Sequence, residues 1–315
     1  MTALSIDVVP YAGWPNALRL ANQHVELVVT LDVGPRILRY ATLGGANVLK
    51  EIPEQLGKAG EAEWRMRGGH RLWISPEDPA RTYAPDNGPT THGREGDAVW
   101  ITTPASAETG LERTIRLQLD EHSSRVSLQH IITNRGSQAA VLAPWALTVF
   151  APGGTAIVPL PPYAPHPGDL KPETKAEDFA AQMTLTLWPF FRFTDSRFRW
   201  SDKYICLQQD AQAKRPTKIG ANLPDGWAAY HLHDTLFIKR FGWRADAVYP
   251  DRGCNFETFT DAAILELESL GPLIDLAPGQ QVSHNETWSL HAGVGLPNSD
   301  DAIDKDVLPK VLQTR

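Results

Sequence analysis

The chain has 315 residues, 42% hydrophobic and 21% charged, a composition that excludes the disordered and fibrous classes and supplies apolar surface for a large core. A net charge of −7, with a pI near 5.8, leaves no broad basic field for nucleic acid or an anionic membrane surface, so neither is an expected partner. The two cysteines, Cys206 and Cys254, stand far apart without zinc-like spacing, and a disulfide framework is not expected.

Met1 to Pro10 has neither a basic n-region nor an apolar h-region, and no later run is long enough to span a bilayer, so the expected location is cytoplasmic. Val25 to Leu31 reads as a strand ending in the turn Asp32-Val33-Gly34-Pro35, and Arg36 to Tyr40 resumes it, which predicts an opening hairpin. Further strand-like runs follow at Ala98 to Thr103, Thr114 to Leu119, Arg125 to Thr133, Ala140 to Phe150 and Lys203 to Gln208. The last are Thr235 to Arg240, Ala262 to Leu270 and Val282 to Leu290. Ala176 to Met183 and Asp301 to Leu312 are the two short helix candidates. Repeated short strands, 25 prolines and 24 glycines spread along the chain, and no crossover helices predict an all-β sandwich or barrel in one domain over 1–315. Glu51 to Gly96 and Gly153 to Lys175 read as long irregular stretches, the kind that usually carry function.

The candidate site residues fall into a few groups. Alternation in Ala262 to Leu270 sends Leu265 and Leu267 to one side and Glu266 and Glu268 to the other, so the acidic side faces water or a cleft. His284, Glu286 and Trp288 share a face of the following strand, and pairing of the two strands would join these side chains in one patch. Gly68-Gly69-His70-Arg71-Leu72-Trp73 sets an imidazole beside a cation and an aromatic face, after two glycines that permit close backbone approach. Glu77 and Asp86, from Pro76-Glu77 and Tyr83-Ala84-Pro85-Asp86-Asn87, lie in the same stretch. Glu257 could add a third acid to the cleft, and His231 with His233 alternates as a His-x-His pair that would need further ligands to hold a metal. Ten tryptophans offer flat apolar faces for pyranose C–H groups. No nucleotide-binding glycine loop, Gly-x-Ser-x-Gly elbow or Cys/His nucleophile pattern occurs, which leaves proton transfer by carboxylates and imidazoles, or binding alone.

Asp32-Val33-Gly34-Pro35-Arg36-Ile37-Leu38 with Leu43-Gly44-Gly45-Ala46-Asn47-Val48-Leu49 resembles the opening of galactose mutarotase-like (aldose 1-epimerase-like) proteins. Leu265-Glu266-Leu267-Glu268, Gly271-Pro272, Pro278-Gly279 and His284 resemble the family's C-terminal part, where a catalytic Glu precedes a Leu-x-Pro-Gly turn. The resemblance implies a large antiparallel β-supersandwich with few short helices, binding a hexose or related sugar on a concave face without cofactor or metal, as a monomer or homodimer. It implies a Glu that takes the proton of the anomeric hydroxyl, matched by Glu268 or Glu266, and a His that protonates the ring oxygen. His70 with Arg71 matches the early His/Arg part of the site. The family's mid-chain Asn-His-x-Tyr-Phe-Asn-Leu reads Ala143-Pro144-Trp145-Ala146-Leu147-Thr148 here, so Trp145 takes the imidazole's place, or the acid comes from His231 or His130.

Three functions follow as expectations. The first is an aldose 1-epimerase-like isomerase with Glu268, Glu266 and His70 as catalytic residues and Arg71, Trp73, Glu77, Asp86, Trp145, His231 and Glu257 as substrate contacts. A second is a sugar-binding protein without chemistry. The third is a glycoside hydrolase or lyase, which would need an acid such as Glu77 or Glu257 facing the Glu266 and Glu268 pair.

Overall fold

The computed structural model describes residues 4–168 and 171–314. The first third of the chain forms β1 (Ser5–Tyr11), β2 (Trp14–Ala21), β3 (Val25–Thr30), β4 (Ile37–Thr42), β5 (His70–Ser75), β6 (Thr91–Glu95) and β7 (Ala98–Thr103). Then come β8 (Leu111–Leu119), β9 (Val126–Asn134), β10 (Ala140–Phe150), β11 (Thr155–Pro159), β12 (Leu185–Leu187), β13 (Phe198–Trp200), β14 (Tyr204–Gln208) and β15 (Thr217–Ala221). The last are β16 (Trp227–Leu232), β17 (Thr235–Phe241), β18 (Phe256–Thr260), β19 (Leu265–Leu270), β20 (Ile274–Leu276) and β21 (Gln281–His291).

These strands form two sheets. The larger follows the order β1-β2-β3-β4-β5-β10-β19-β18-β15-β12, with β20 also on β10, and the smaller follows β13-β14-β11-β16-β17-β21-β9-β8-β7-β6. Neighbours run antiparallel throughout. Period-two alternation drives the stacking: in β8, Leu111, Ile115, Leu117 and Leu119 are buried while Arg116 and Gln118 are exposed. The buried faces of both sheets close one apolar core, at whose centre Phe237 packs against Tyr40, Phe150 and Trp288 with ring centroids 5.0 to 6.0 Å apart.

The expected all-β supersandwich with few short helices is the observed architecture, and the opening hairpin is β3 paired with β4. Several expectations need correction. The Ala176 to Met183 helix is a single 3-10 turn, Ala176–Phe179, because Lys175 and Ala180 at its ends are extended. The C-terminal helix is split into Asp300–Asp306 and Leu308–Gln313 at Val307, just before the Leu308-Pro309 step, where proline cannot continue the hydrogen-bond ladder. Both pieces pack on the outer face of the smaller sheet, placing Ile303, Val307 and Val311 against Trp227, Ala229 and Ile238. The two long irregular stretches each contain strands: β5 and β6 in the first and β11 in the second. Among the described residues, no helix is long and apolar enough to cross a membrane.

Candidate functional site

Register assembles the polar face of the larger sheet. Arg71 of β5 lies opposite Leu147 of β10, Leu147 opposite Glu268 of β19, and Glu268 opposite Glu257 of β18. One row over, Trp73, Trp145 and Leu270 stand side by side. On the other flank Glu266 lies opposite Phe259, which lies opposite Lys218 of β15. Side chains two residues apart share a face, so Arg71 with Trp73, Glu266 with Glu268, and Trp145 with Leu147 all project outward from the core.

Two of the strands that feed this face, β5 and β18, begin at strained turns. Arg67 has φ 62° ahead of Gly68 and Gly69, where a Cβ would meet the Lys50 and Ile37 carbonyl oxygens at 2.1 and 2.2 Å. The two glycines are therefore needed for close approach to the neighbouring backbone. Asp251 and Arg252, at φ 49° and 67°, precede Gly253 and the strand that carries Glu257. Strain of this kind persists where the surrounding structure holds it, and it gathers near functional sites.

Of the two surroundings that the sequence left open for the acidic side, water or a cleft, water is excluded, since β19 is buried on both faces. The cover comes from aromatic side chains of the connecting segments, with Trp64 4.8 Å and Tyr83 5.0 Å from the Trp73 ring. Glu266 keeps the largest opening among the carboxylates, with 8% of its side chain exposed against 1% for Glu257 and 0% for Glu268.

Beneath that cover the charges are paired closely. The Lys218 ammonium lies 2.7 Å from Glu257 and 2.9 Å from Glu268, between the rings of Trp145 and Trp188 at 4.8 Å from each. The Trp145 indole N–H donates to Glu268 Oε2 at 2.9 Å. Both terminal nitrogens of Arg71 reach Glu266 Oε1 at 3.3 Å, and its guanidinium lies 4.1 Å from the Trp73 ring centroid. Burial pushes Glu266 up to about 7, against the pull of Arg71, and burial also raises Glu257 well above the usual carboxylate range despite Lys218. Five buried polar atoms here have no hydrogen-bond partner among the described residues: Trp64 Nε1, Arg71 Nε, Trp73 Nε1, Glu257 Oε1 and Glu268 Oε1.

The structure thus brings Arg71, Trp73, Trp145, Glu257, Glu266 and Glu268 together, with Glu77 at the rim, where it accepts the Tyr83 hydroxyl at 2.5 Å. It does not bring His70 to this face. His70 has the parity of Leu72 and Ile74 and points between the sheets, where its Nε2 lies 2.7 Å from His130 Nε2 and its Nδ1 2.9 Å from Thr148. Nor do β19 and β21 pair: they belong to different sheets, and the β19 side chain that His284 and Glu286 bond is Ser269, on its core side. Asp86 is held by Arg36 at 2.7 and 2.9 Å, an ion pair that occupies both its oxygens. His231 is buried on the outer face of the smaller sheet, with Nε2 2.9 Å from the Val294 carbonyl, and His233 sits in the following turn at φ 57°. Lys218, Trp64, Trp188 and Tyr83 are members that sequence reading missed. Gly220 was the available signal, since a Cβ there would meet Cys254, Trp188 and Glu257 within 3.3 Å.

Between the sheets, Glu286 accepts from Lys239 at 2.9 Å, Ser269 at 2.5 Å and the Trp288 indole at 2.7 Å. His130 Nδ1, 3.1 Å from the His284 carbonyl, is placed to donate to it, which makes His130 Nε2 the acceptor from His70 and leaves His70 Nδ1 to accept the Thr148 hydroxyl. His70, His130 and Glu286 are close enough to surround a metal ion, but the two imidazoles bond each other and the Lys239 ammonium sits on the carboxylate. A groove of about 1300 Å³ lies elsewhere, between the Pro159 to Pro167 segment, Trp227 and Leu308.

The sequence matches no protein-family model and no curated protein. The likeness to known proteins is one of fold. A galactose mutarotase-like protein from Lactobacillus casei superposes with TM-score 0.55 at 10% identity, over 88% of this chain and 100% of that one. A candidate aldose 1-epimerase from Klebsiella pneumoniae gives 0.58 at 9% identity, over 93% and 85%. A TPR-domain protein from Parabacteroides distasonis gives 0.57 at 13% identity, over 89% of this chain but 47% of that one. With two facing antiparallel sheets, one core between them and a polar outer face, the chain has the galactose mutarotase-like fold.

Proposed function

We propose that this chain is a cytoplasmic protein that binds a free monosaccharide on the outer face of the larger sheet and interconverts its anomers by general acid and base catalysis, without a cofactor. The observation that carries the reading is the set of five unpartnered buried atoms, three N–H donors and two carboxylate oxygens, around the rings of Trp64, Trp73 and Trp145. Leaving such atoms unpaired costs about 1–3 kcal/mol each. A pyranose offers hydroxyls that both donate and accept, and C–H faces that rest on indole rings, so its chemistry fits both halves of the site.

Glu268 is the base in this reading. Its carboxylate is aimed by the Trp145 indole and held by Lys218, two fixed donors on one oxygen, which leaves Oε1 for a substrate hydroxyl. The fold neighbours described as galactose mutarotase-like and aldose 1-epimerase support the reaction class. Because none of the buried imidazoles His70, His130, His231 and His284 stands on this face, binding without turnover is the second reading.

Two measurements test the proposal. Titration with D-galactose and D-glucose, followed by tryptophan emission, should show saturable quenching or enhancement. Polarimetry should show anomer equilibration faster than the spontaneous rate, falling about 100- to 10,000-fold in Glu268→Gln. Saturable binding with no acceleration for any aldose would leave only the second reading, and no binding at all would remove both.

A further inference from the structure

We infer that Glu266 is the group that protonates the ring oxygen, so that two carboxyl groups on one strand, Glu266 as acid and Glu268 as base, perform the chemistry expected of a Glu and a His. The inference rests on the anomer-interconversion reading above and assigns the role that no imidazole on this face can fill. On the core side of the sheet His70 bonds His130, His130 bonds the His284 carbonyl and His284 bonds Ser269, while His231 bonds the Val294 carbonyl in the smaller sheet's outer layer.

Three carboxyl groups share the outer face, and their surroundings differ. Glu257 and Glu268 converge on one ammonium, Lys218, at 2.7 and 2.9 Å. Among the described residues, Glu266 has no lysine within ion-pair distance; its ion-pair partner is Arg71. Both of its contacts to Arg71 are long, 3.3 Å, and fall on the same oxygen, Oε1. It is also the carboxyl that opens to the outside, at 8% side-chain exposure, so a ring entering the site meets it first. Residues two apart on a strand stand about 7 Å from each other, which lets their side chains converge on the anomeric and ring oxygens of one sugar.

The groups facing Glu266 are Arg71 from β5, Lys218 from β15, Glu268 on its own strand, Tyr83 from the covering segment and Lys239 from beneath the sheet. Burial dominates this balance and lifts the Glu266 carboxyl to about 7, where the neutral acid persists at neutral pH.

In the step itself, the Glu268 carboxylate takes the proton of the anomeric hydroxyl while neutral Glu266 gives its proton to the ring oxygen. The bond from the anomeric carbon to the ring oxygen breaks, its electrons go to that oxygen, and the anomeric oxygen becomes the aldehyde carbonyl. After rotation about the adjacent carbon–carbon bond, Glu266 takes the proton back as the hydroxyl attacks the other carbonyl face, and Glu268 returns its proton to the anomeric oxygen. No atom or electron is gained or lost, and both residues regain their starting states.

The test is the pH dependence of anomer equilibration of α-D-galactose and α-D-glucose, from pH 5 to 9, in the full chain and in Glu266→Gln and Glu257→Gln. The wild-type rate should fall on the alkaline side with a midpoint near 7. Glu266→Gln should keep sugar binding by tryptophan emission, lose about 100- to 10,000-fold in rate and lose that alkaline limb. The limb should persist in Glu257→Gln. A Glu266→Gln variant that turns over at the wild-type rate with the limb intact overturns the assignment while leaving the reaction standing, as does a limb that disappears only in Glu257→Gln. No acceleration by the wild type overturns both.

Discussion

Lys218 has the most consequential single contacts on the outer face, because two carboxylates and two indole rings converge on one ammonium. Removing that charge while leaving the acids leaves uncompensated buried charge. Lys218→Met should therefore cost about 3–5 kcal/mol in denaturant unfolding, and adding Glu268→Gln should recover part of the loss. Glu266 makes the opposite kind of prediction. Its carboxyl is raised to about 7 in the folded chain and titrates near 4.5 when unfolded, so its neutral form is favoured by folding and that contribution is lost as pH rises from 4.5 through 7. Relative to wild type, Glu266→Gln should gain about 2 kcal/mol between pH 5 and 7.5, measured by chemical denaturation at both; a constant difference would show that Glu266 is not shifted. Residue types alone exposed the acids, Trp73 and Trp145. They did not expose Lys218, since a lysine in a strand is ordinarily solvated.

At the scale of the element, β19 reads in sequence as an alternating strand whose acidic side faces water or a cleft; the alternation holds, and burial takes that side out of water. Glu266 and Glu268 share their face with the packed rings of Trp73 and Trp145, while Ser269 on the other side touches His284 and Glu286 from the opposing sheet. Parity likewise divides His70 from Arg71 and Trp73: adjacent residues of β5 serve different compartments, so adjacency in sequence was misleading about the site. The core-side cluster has its own pH signature. Burial lowers the His284 imidazole to about 3, so below pH 6.5 the unfolded chain binds the proton that the folded one refuses, and stability falls as pH drops from 6.5 towards 3. Between pH 7.5 and 5 this amounts to about 2 kcal/mol, which His284→Gln should abolish. Urea unfolding of the two proteins at both pH values measures it, and equal pH dependence in the pair would refute it.

For the whole molecule, the packing of the two sheets across one aromatic centre predicts that damage at that centre is felt everywhere. Phe237→Ala should cost about 3–5 kcal/mol and shift far-UV and tryptophan signals together. The chain's punctuation and two-residue alternation determined that it would be built of short antiparallel strands, and the Asp32-Val33-Gly34-Pro35 turn located the hairpin of β3 and β4. Alternation is a local property, fixed by the geometry of each strand, and so it survives without knowledge of partners. Strands such as β5, buried at every position, and the edge strand β1, without a fully buried position, lack that signature, and both went unread. Only the tertiary structure decided which side of each strand faces the core, which strands are neighbours, and which segments cover an outer face. Those choices depend on packing between residues as distant as Arg71 and Glu266, and they separated the imidazoles from the carboxylates that the sequence suggested would work together.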